Sequence, residues 1–312
     1  MAIESFKGVG DRPLLVTGAS GFLGWHLSRM ASTRGLVHGT YHRHPVAQPG
    51  VAMTSVDLSD RDQIGAWLRQ LNPRAVIHTA AIAQPNQCEQ DPHQSYAINV
   101  IASCRLAELC GQHSIPFVFT STEQVFDGED APYSEVSTPH PINIYGQHKL
   151  EAEQRIQTLH PCPTICRLPL LYGPATPRAG SFLQGFLQTL AAGQPLSLFV
   201  DEFRSPAYVE DVADGLLLAL KAGVDLVHLG GPERISRYEF GLRMAAVFGF
   251  PQDLLTPCYQ RDVTMPARRP ADVSTDNQRA LALGYHPRGI EAGLRAVRDW
   301  SASDGSNPAP FH

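Results

Sequence analysis

The feature that most constrains this chain is the glycine-containing turn in residues 14–24, which read LLVTGASGFLG. The apolar residues at 14–16 predict a buried strand, and an apolar pattern typical of a helix begins at residue 22. A turn of this kind leaves backbone N–H groups at a helix N-terminus, where the helix dipole also favours an anion. The pattern therefore predicts a pyrophosphate site rather than a plain strand–helix turn. The residues assigned to it are Gly18, Ser20, Gly21, Phe22, Leu23 and Gly24.

Composition narrows the class of protein further. The chain has 312 residues, 43% hydrophobic and 18% charged, which is enough for a large α/β domain with a smaller lobe. A formal net charge of −5 without a Lys/Arg-rich run argues against nucleic acid as a partner. No apolar run has the length of a membrane span, and no apolar signal segment is found at the N-terminus. We therefore expect a cytoplasmic protein.

Other catalytic chemistries find little support in the sequence. Thirteen histidines and six cysteines lack the spacing of a metal site, and the cysteines form no CxxC pair. No P-loop lysine follows the first glycines, and Ser20 does not lie in a G-x-S-x-G turn. We therefore predict no metal, and we expect the cysteines to be reduced and buried.

Strands and helices alternate along the first 170 residues. Strands are predicted at 14–16, 36–41, 51–56, 75–79, 115–120 and 164–169, and helices at 22–33, 59–71, 93–112 and 145–158. Ser59 is the expected N-cap of the second helix. The alternation predicts an α/β fold, a Rossmann-type doubly wound parallel sheet with helices on both faces. Ligands of such sheets bind where the strands end at their carboxyl edge.

Several segments that follow the strands meet at this edge. The second strand ends in His42-Arg43-His44 without a carboxylate, which favours the 2′-phosphate of NADP, with NAD as the alternative. Asn99 is polar on a packed helix face, so we expect its side chain to bond the backbone. The other residues assigned to the cofactor are Asp57, Leu58, Ala80, Ala81, Ala83 and Leu168.

A catalytic pair is predicted on the helix that begins near residue 145. Tyr145 and Lys149 lie one turn apart and share a face of that helix. A lysine in this position stabilises tyrosinate, so we expect the tyrosine's pKa to fall below its usual value of about 10. Thr122, after the fifth strand, is placed to hydrogen-bond the same carbonyl oxygen as Tyr145. Tyr-x-x-x-Lys alone is common on surface helices, but the glycine turn and the threonine make the combination specific.

Four segments together resemble the extended short-chain dehydrogenase/reductases: VTGASGFLG, STEQVFDG, PINIYGQHKLEAE and RLPLLYGP. The chain is most similar to the dTDP-4-dehydrorhamnose reductase branch, and FRSPAYVEDVA and RRPADVSTD extend the likeness into the C-terminal half. The resemblance implies a Rossmann domain, a nicotinamide cofactor bound also by Tyr145 and Lys149, and a catalytic set of Thr122, Tyr145 and Lys149. Two departures concern the substrate side. Glu123-Gln124 stand where the branch usually has Asp-Tyr, and Ser181-Phe182 stand where it often has Asn-Phe.

The resemblance also divides the chain into lobes and suggests substrate contacts. Residues 1–170 are expected to form the NADP-binding domain, 171–300 mostly a substrate lobe with segments returning to the Rossmann core, and 301–312 a flexible tail. Arg204 and Arg269 are candidates for binding a diphosphate, and a surface or interlobe ion pair is an equal alternative for each. The remaining residues assigned to the substrate are Glu123, Val125, Phe126 and Phe182.

The leading functional prediction is an NADPH-dependent reductase of a keto sugar, in this family typically a nucleotide-linked 4-keto-6-deoxy sugar. One alternative is a non-catalytic NADP-binding regulatory subunit, like that of methionine adenosyltransferase in the same branch. Another is a nucleotide-sugar epimerase or dehydratase, which retains NAD through its cycle. The basic end of the second strand argues against this third class. The sequence does not decide the oligomeric state, and a homodimer is one alternative.

Overall fold

The computed structural model describes residues 12–303. Its strands are β1 (Leu14–Thr17), β2 (Val37–Tyr41), β3 (Val51–Ser55), β4 (Ala75–His78), β5 (Phe117–Thr122), β6 (Thr164–Leu168), β7 (Leu171–Tyr172), β8 (Leu196–Phe199), β9 (Phe203–Arg204), β10 (Ala207–Tyr208), β11 (Leu226–His228), β12 (Ile235–Ser236) and β13 (Leu255–Cys258). Its α-helices are α1 (Phe22–Ser32), α2 (Arg61–Leu71), α3 (Pro85–Gln90), α4 (Pro92–Tyr96), α5 (Ser103–Gln112), α6 (Ile144–Leu159), α7 (Phe182–Ala191), α8 (Val209–Ala222), α9 (Arg237–Phe248), α10 (Gln278–Ala282) and α11 (Ile290–Ser303).

The centre of the molecule is a seven-stranded sheet in the order β11-β6-β5-β4-β1-β2-β3. All of its strand pairs are parallel. One face is covered by α1 and α8, whose apolar residues pack with the inward side chains of β1 and β4. The opposite face is covered by α2, α5 and α6. The predicted fold class, a doubly wound parallel sheet of the Rossmann type, is confirmed.

The C-terminal half has its own core, built around Tyr172, Phe240 and Leu294. Three two-stranded sheets, β7 with β10, β9 with β12 and β8 with β13, hold its segments together. Two segments of this half pack with the central sheet and its covering helices. The strand β11 pairs with β6, and α8 packs against α1.

Several predicted boundaries are wrong in detail. The N-cap of α2 is Asp60, whose carboxylate accepts a hydrogen bond from Gln63 N, while the hydroxyl of Ser59 bonds Asp57 instead. The helix predicted at 93–112 contains a π-helical segment, Ala97–Ala102, between α4 and α5. The strand β5 extends to Thr122, so the predicted catalytic threonine is the last residue of a strand rather than part of the following loop.

The C-terminal helix α11 continues to Ser303, so residues 301–303 are helical rather than part of a flexible tail; residues 304–312 of that predicted tail lie outside the described residues. All six cysteines are free, and Cys162 is exposed, against the expectation that the thiols are buried. Between residues 12 and 303, no helix combines the length and apolar character needed to cross a bilayer.

Candidate active site

A pocket of about 440 Å³ opens at the carboxyl edge of the central sheet. The ends of β1, β2, β3 and β4 all contribute to it, so the predicted convergence of these segments is present in the structure. Among the residues predicted to bind the cofactor, those that line the pocket are Gly18, Ser20, Gly21, His42, Arg43, His44, Asp57, Leu58, Ala80 and Ala81.

The pocket also has a wall that the sequence analysis missed. This wall comes from α3, α4 and the π-helical segment, through Gln87, Gln94 and Ile98. Further unpredicted lining residues flank the strand ends, and these are Thr40, Tyr41, Val56, Thr79 and Ile82. Glutamines on short helices carry no sequence pattern that distinguishes a pocket wall from a solvated surface.

The glycine turn is shaped for close approach to its surroundings. Gly18 has φ of +69°, and a Cβ there would lie 2.8 Å from the backbone N of Ala80. A Cβ on Gly24 would overlap the carbonyl oxygen of Gly18. Gly21 is the N-cap of α1 and supplies no side-chain cap, so the N–H groups of the first helical turn stay available to an anion. These residues fit the pyrophosphate of a dinucleotide.

The remaining residues predicted for the cofactor lie around the pocket rather than in its lining. Phe22, Leu23 and Gly24 form the first turn of α1, Ala83 is exposed, and Leu168 belongs to the hydrophobic core. Asn99 is fully buried, and its side chain makes two hydrogen bonds of 2.9 Å with the backbone N and O of Ile82. The prediction that Asn99 bonds the backbone is confirmed, and these bonds fix the segment that lines the pocket.

The end of β2 places Arg43 at the pocket, between two histidines. His42, Arg43 and His44 are exposed there, and the nearest carboxylate is that of Asp57, 3.9 Å from His42 Nε2. Asp57 accepts hydrogen bonds from the Ser59 hydroxyl and backbone N–H, and these bonds, with His42 and Arg43 nearby, lower its pKa. This arrangement fits a phosphate group beside Arg43.

The three predicted catalytic residues lie at the end of β5 and on the first turns of α6, and none of the three lines the pocket. Asn143 caps α6 by accepting a hydrogen bond of 2.9 Å from Gly146 N, so the helix begins immediately before Tyr145. Tyr145 is 7% exposed, and the hydroxyl of Thr122 at the end of β5 is near enough to lower its pKa. Lys149, one turn further along α6, is 1% exposed, with Nζ 4.0 Å from the centroid of the Phe119 ring.

Burial controls the protonation of this set. It raises the pKa of Tyr145 well above its ordinary value, whereas the hydrogen bond from Thr122 lowers it by less. The expectation that Lys149 lowers the pKa of Tyr145 below 10 is therefore wrong for this structure, because desolvation of the phenolate outweighs other effects. Burial also lowers the pKa of Lys149 to about 7. Tyr145 thus keeps its proton at neutral pH.

A buried charge cluster joins the two lobes next to Tyr145. Arg204 is 3% exposed, and its guanidinium lies 3.4 Å from Glu123 Oε1 and 3.5 Å from Glu202 Oε1. It also donates hydrogen bonds to the carbonyl oxygens of Phe203 and Pro270. Arg204 therefore forms an ion pair between the lobes and is not free to bind a diphosphate. Burial raises the pKa of Glu123 to about 8, and its Oε2 has no hydrogen-bond partner among the described residues.

Two further arginines of this cluster keep unused donors. Arg237, which the sequence analysis missed, lies over the rings of Phe182 and Phe186 at 4.0 and 5.2 Å from their centroids. Arg269 donates a hydrogen bond of 2.8 Å to Asn86 Oδ1. The Nη1 atoms of both arginines are buried without a hydrogen-bond partner within the described part of the chain. Unpaired buried guanidinium donors make this cleft suitable for an anionic group.

The apolar residues predicted for the substrate lie behind this cleft. Val125 and Phe126 are fully buried, and Phe126 stacks on Tyr133 with 4.1 Å between ring centroids. Their side chains therefore pack in the core instead of contacting a ligand, which corrects the expectation for both. Phe182 differs, because it is partly exposed and supports Arg237.

The fold and the site together define the chain as an extended short-chain dehydrogenase/reductase, a class of NAD(P)-dependent oxidoreductases. The parallel sheet, the glycine turn and the buried Thr122–Tyr145–Lys149 set are the features that carry this assignment. The chain belongs to the family described as the RmlD substrate binding domain, whose model matches residues 12–300.

Related proteins cover most of the chain. A probable low-salt glycan biosynthesis reductase of Haloferax volcanii is 34% identical over 260 residues, covering 82% of this chain and 86% of that protein. Methionine adenosyltransferase 2 subunit beta of Xenopus laevis is 27% identical over 267 residues, covering 80% of this chain and 76% of that protein. The crystal structure of a hypothetical dTDP-4-dehydrorhamnose reductase from Sulfolobus tokodaii has a TM-score of 0.79 and 28% identity, covering 89% of this chain and 98% of that one.

Proposed function

We propose that this chain is an NADPH-dependent reductase of a keto sugar linked to a nucleotide. The observation that carries the proposal is that Thr122 acts on Tyr145, one turn before buried Lys149 on α6, at the same carboxyl edge of the sheet as the dinucleotide pocket. The reductase names of the Haloferax relative and the Sulfolobus structure support the same reaction.

Different residues would bind the different parts of the cofactor. Gly18 and Gly21 would hold the pyrophosphate, Arg43 the 2′-phosphate, and Lys149 the ribose next to the nicotinamide. When bound, the reduced nicotinamide supplies the hydride. Tyr145 keeps its proton at neutral pH and donates it to the substrate's carbonyl oxygen, while Thr122 donates a hydrogen bond to the same oxygen.

The charge cluster supports an anionic substrate. The unpartnered Nη1 atoms of Arg237 and Arg269 offer two buried donors at the interlobe cleft. Glu202 lies 3.9 Å from Arg237 Nε and 3.5 Å from Arg204 Nη2. One carboxylate is thus shared by two arginines and leaves some of their N–H donors unused. A nucleotide diphosphate would satisfy them and would place the sugar towards Tyr145.

The decisive experiment follows NADPH oxidation by the purified chain against a panel of dTDP- and UDP-linked 4-keto sugars. We expect turnover with at least one of them, with the ketone carbon reduced to a secondary alcohol in the NMR spectrum of the product. Isomerised or dehydrated product without net NADPH oxidation would instead favour the epimerase or dehydratase class.

A second candidate is a regulatory subunit, and the observation that favours it is the 27% identity to methionine adenosyltransferase 2 subunit beta. Under this alternative the chain binds NADP and acts through a larger enzyme. The same assay distinguishes the two candidate functions, because only a reductase oxidises NADPH as an isolated chain. Absence of turnover with the whole panel, combined with co-purification with an adenosyltransferase, would select the regulatory role.

The preference for NADPH gives a first prediction. We expect Arg43→Ala to weaken NADPH binding about 10- to 100-fold, since a charge-assisted hydrogen bond is worth about 1.5–3 kcal/mol. NADH binding should change little because NADH lacks the 2′-phosphate. Fluorescence titration with both cofactors measures the effect, and Arg69→Ala, on an exposed position of α2, is the control. Equal losses for both cofactors would refute the assignment of Arg43.

The anionic subsite gives a second prediction. We expect Arg237→Leu to raise the KM for a nucleotide-linked keto sugar about 10-fold or more, because a charged hydrogen bond to the diphosphate is lost. The leucine keeps apolar contact with Phe182, and NADPH affinity should stay near wild type. Arg243→Leu is a control on the same helix, because Arg243 pairs with Glu233 instead. An unchanged KM in Arg237→Leu would exclude Arg237 from the substrate site.

A further inference from the structure

A second buried ion pair lies on the same helix as the catalytic lysine. Glu153 and Arg167 are 3% and 4% exposed, and they form a two-pronged contact between α6 and β6. Arg167 Nε donates to Glu153 Oε1 at 3.0 Å, and Nη2 donates to Oε2 at 2.8 Å. Both carboxylate oxygens are therefore held in fixed positions by one guanidinium.

Glu153 is also placed next to Lys149. The two residues are four positions apart on α6 and both are buried, so they share the inner face of the helix. Lys149 lies over the ring of Phe119, and Arg167 lies 5.1 Å from the centroid of the Phe126 ring. Glu153 thus binds one buried cation directly and acts on a second one, Lys149, one helical turn away.

The other titratable groups near these cations carry no compensating charge. Burial and the charge of Lys149 lower the pKa of His78 to about 3, and burial and Arg167 lower that of His228 to about 3, so both are neutral. Burial raises the pKa of the Cys88 thiol and of Tyr145, so both keep their protons. Among the described residues that act on the charge of Lys149, Glu153 is therefore the carboxylate that favours the ammonium form.

We propose that Glu153 is a positioning residue that keeps Lys149 protonated, and that Arg167 competes with Lys149 for the Glu153 carboxylate. Desolvation favours the neutral amine, and the carboxylate opposes it. Lys149 deprotonates as the pH rises through its pKa, and without Glu153 this loss moves to lower pH. The Glu153 carboxylate thereby sets the upper pH limit for any step that needs the ammonium group of Lys149.

The composition of the chain makes Lys149 directly observable. Lysine occurs only at positions 7, 149 and 221 in the sequence. Labelling with [¹³C]lysine gives three side-chain Cε–Hε signals, and Lys149→Met identifies the signal of Lys149 by its loss. A pH titration of the free protein then reports the midpoint of Lys149 without substrate or cofactor. The result is independent of whether the proposed reductase reaction is correct.

We expect a wild-type midpoint near pH 7, in line with the burial of Lys149. Glu153→Gln should lower it by about one pH unit or more, the size of effect that one nearby opposite charge produces. Glu151→Gln is the matched control, because Glu151 lies on the same helix but is only half-buried and pairs with Arg155. An unchanged midpoint in folded Glu153→Gln would overturn the proposal.

A second variant guards against misfolding, because Glu153→Gln leaves two buried cations without a carboxylate. In Arg167→Gln one cation and one carboxylate remain, so the buried charges stay balanced. Glu153 then has Lys149 as its remaining cation, and we expect the Lys149 midpoint to rise above that of the wild type. A residue with a purely structural role would not produce opposite shifts in the two variants. A midpoint that stays or falls in Arg167→Gln would also overturn the proposal.

Discussion

Tyr145→Phe is expected to reduce turnover by about 10²- to 10⁴-fold, the usual cost of losing a positioned general acid. Negative charge develops on the ketone oxygen during reduction, and without the phenol only Thr122 or water can stabilise it. The substitution removes a single oxygen from a side chain that is 7% exposed, so α6 and the cofactor pocket should persist. NADPH affinity should therefore stay near wild type while the turnover rate falls.

Lys149→Met provides the comparison for this prediction. Because the lysine is expected to contact the cofactor ribose as well as to act near Tyr145, both the turnover rate and NADPH affinity should decrease. Measuring both quantities for each variant distinguishes the two roles. A Tyr145→Phe enzyme that keeps most of its activity on a good substrate would show that another group donates the proton.

Gly24→Ala is expected to have the second largest effect, on folding and on cofactor binding together. The new Cβ would overlap the carbonyl oxygen of Gly18 and lie 2.7 Å from Thr79 Oγ1, so the glycine turn must shift. Overpacking of this kind costs about 1–3 kcal/mol, and the displaced turn also carries the pyrophosphate site. We expect a lower denaturation midpoint and NADPH affinity reduced about 100-fold, from the loss of about 2.7 kcal/mol of binding free energy.

Gly185→Ala is the matched control for this substitution. Gly185 is exposed on α7, and a Cβ there would meet no atom within 4 Å. Alanine should stabilise that helix by about 0.5–1 kcal/mol relative to glycine and leave NADPH binding unchanged. Equal NADPH affinity in Gly24→Ala and the wild type would mean that the glycine turn tolerates a side chain and is not the pyrophosphate site.

The parts of the site that depend on chain-local patterns were predictable from the sequence. The glycine turn follows β1 directly, and strand–helix alternation places the ends of β1 to β4 on one edge, where the pocket lies. The backbone bonds of Asn99 were also predictable, because a buried amide on a packed helix must find partners nearby. Each of these inferences needs only local sequence and the geometry of a parallel sheet.

The features that were missed depend on contacts between distant segments. Arg237 is the first residue of α9, a position where a solvated arginine is equally common. Its partners Glu202 and Phe182 come from distant parts of the chain, so the sequence near Arg237 does not reveal them. The pKa of Tyr145 was expected to fall because Lys149 is near in sequence, whereas the depth of burial is set by tertiary packing. The π-helical turn at Ala97–Ala102 inserts one residue into a helix, and this insertion changes the apolar pattern of the sequence too little to be recognised.

The return of the chain to the central sheet has a consequence for biosynthesis. The strand β11 is made about 60 residues after β6, with β7 to β10, α7 and α8 between them, yet it covers the edge of β6, all of whose residues are buried. A nascent chain that has emerged only to residue 225 therefore exposes the unpaired backbone groups of an apolar strand, which is an aggregation-prone state. The two lobes should accordingly fold as one cooperative unit, and a fragment ending at residue 170 should be recovered in inclusion bodies rather than as a stable NADP-binding domain.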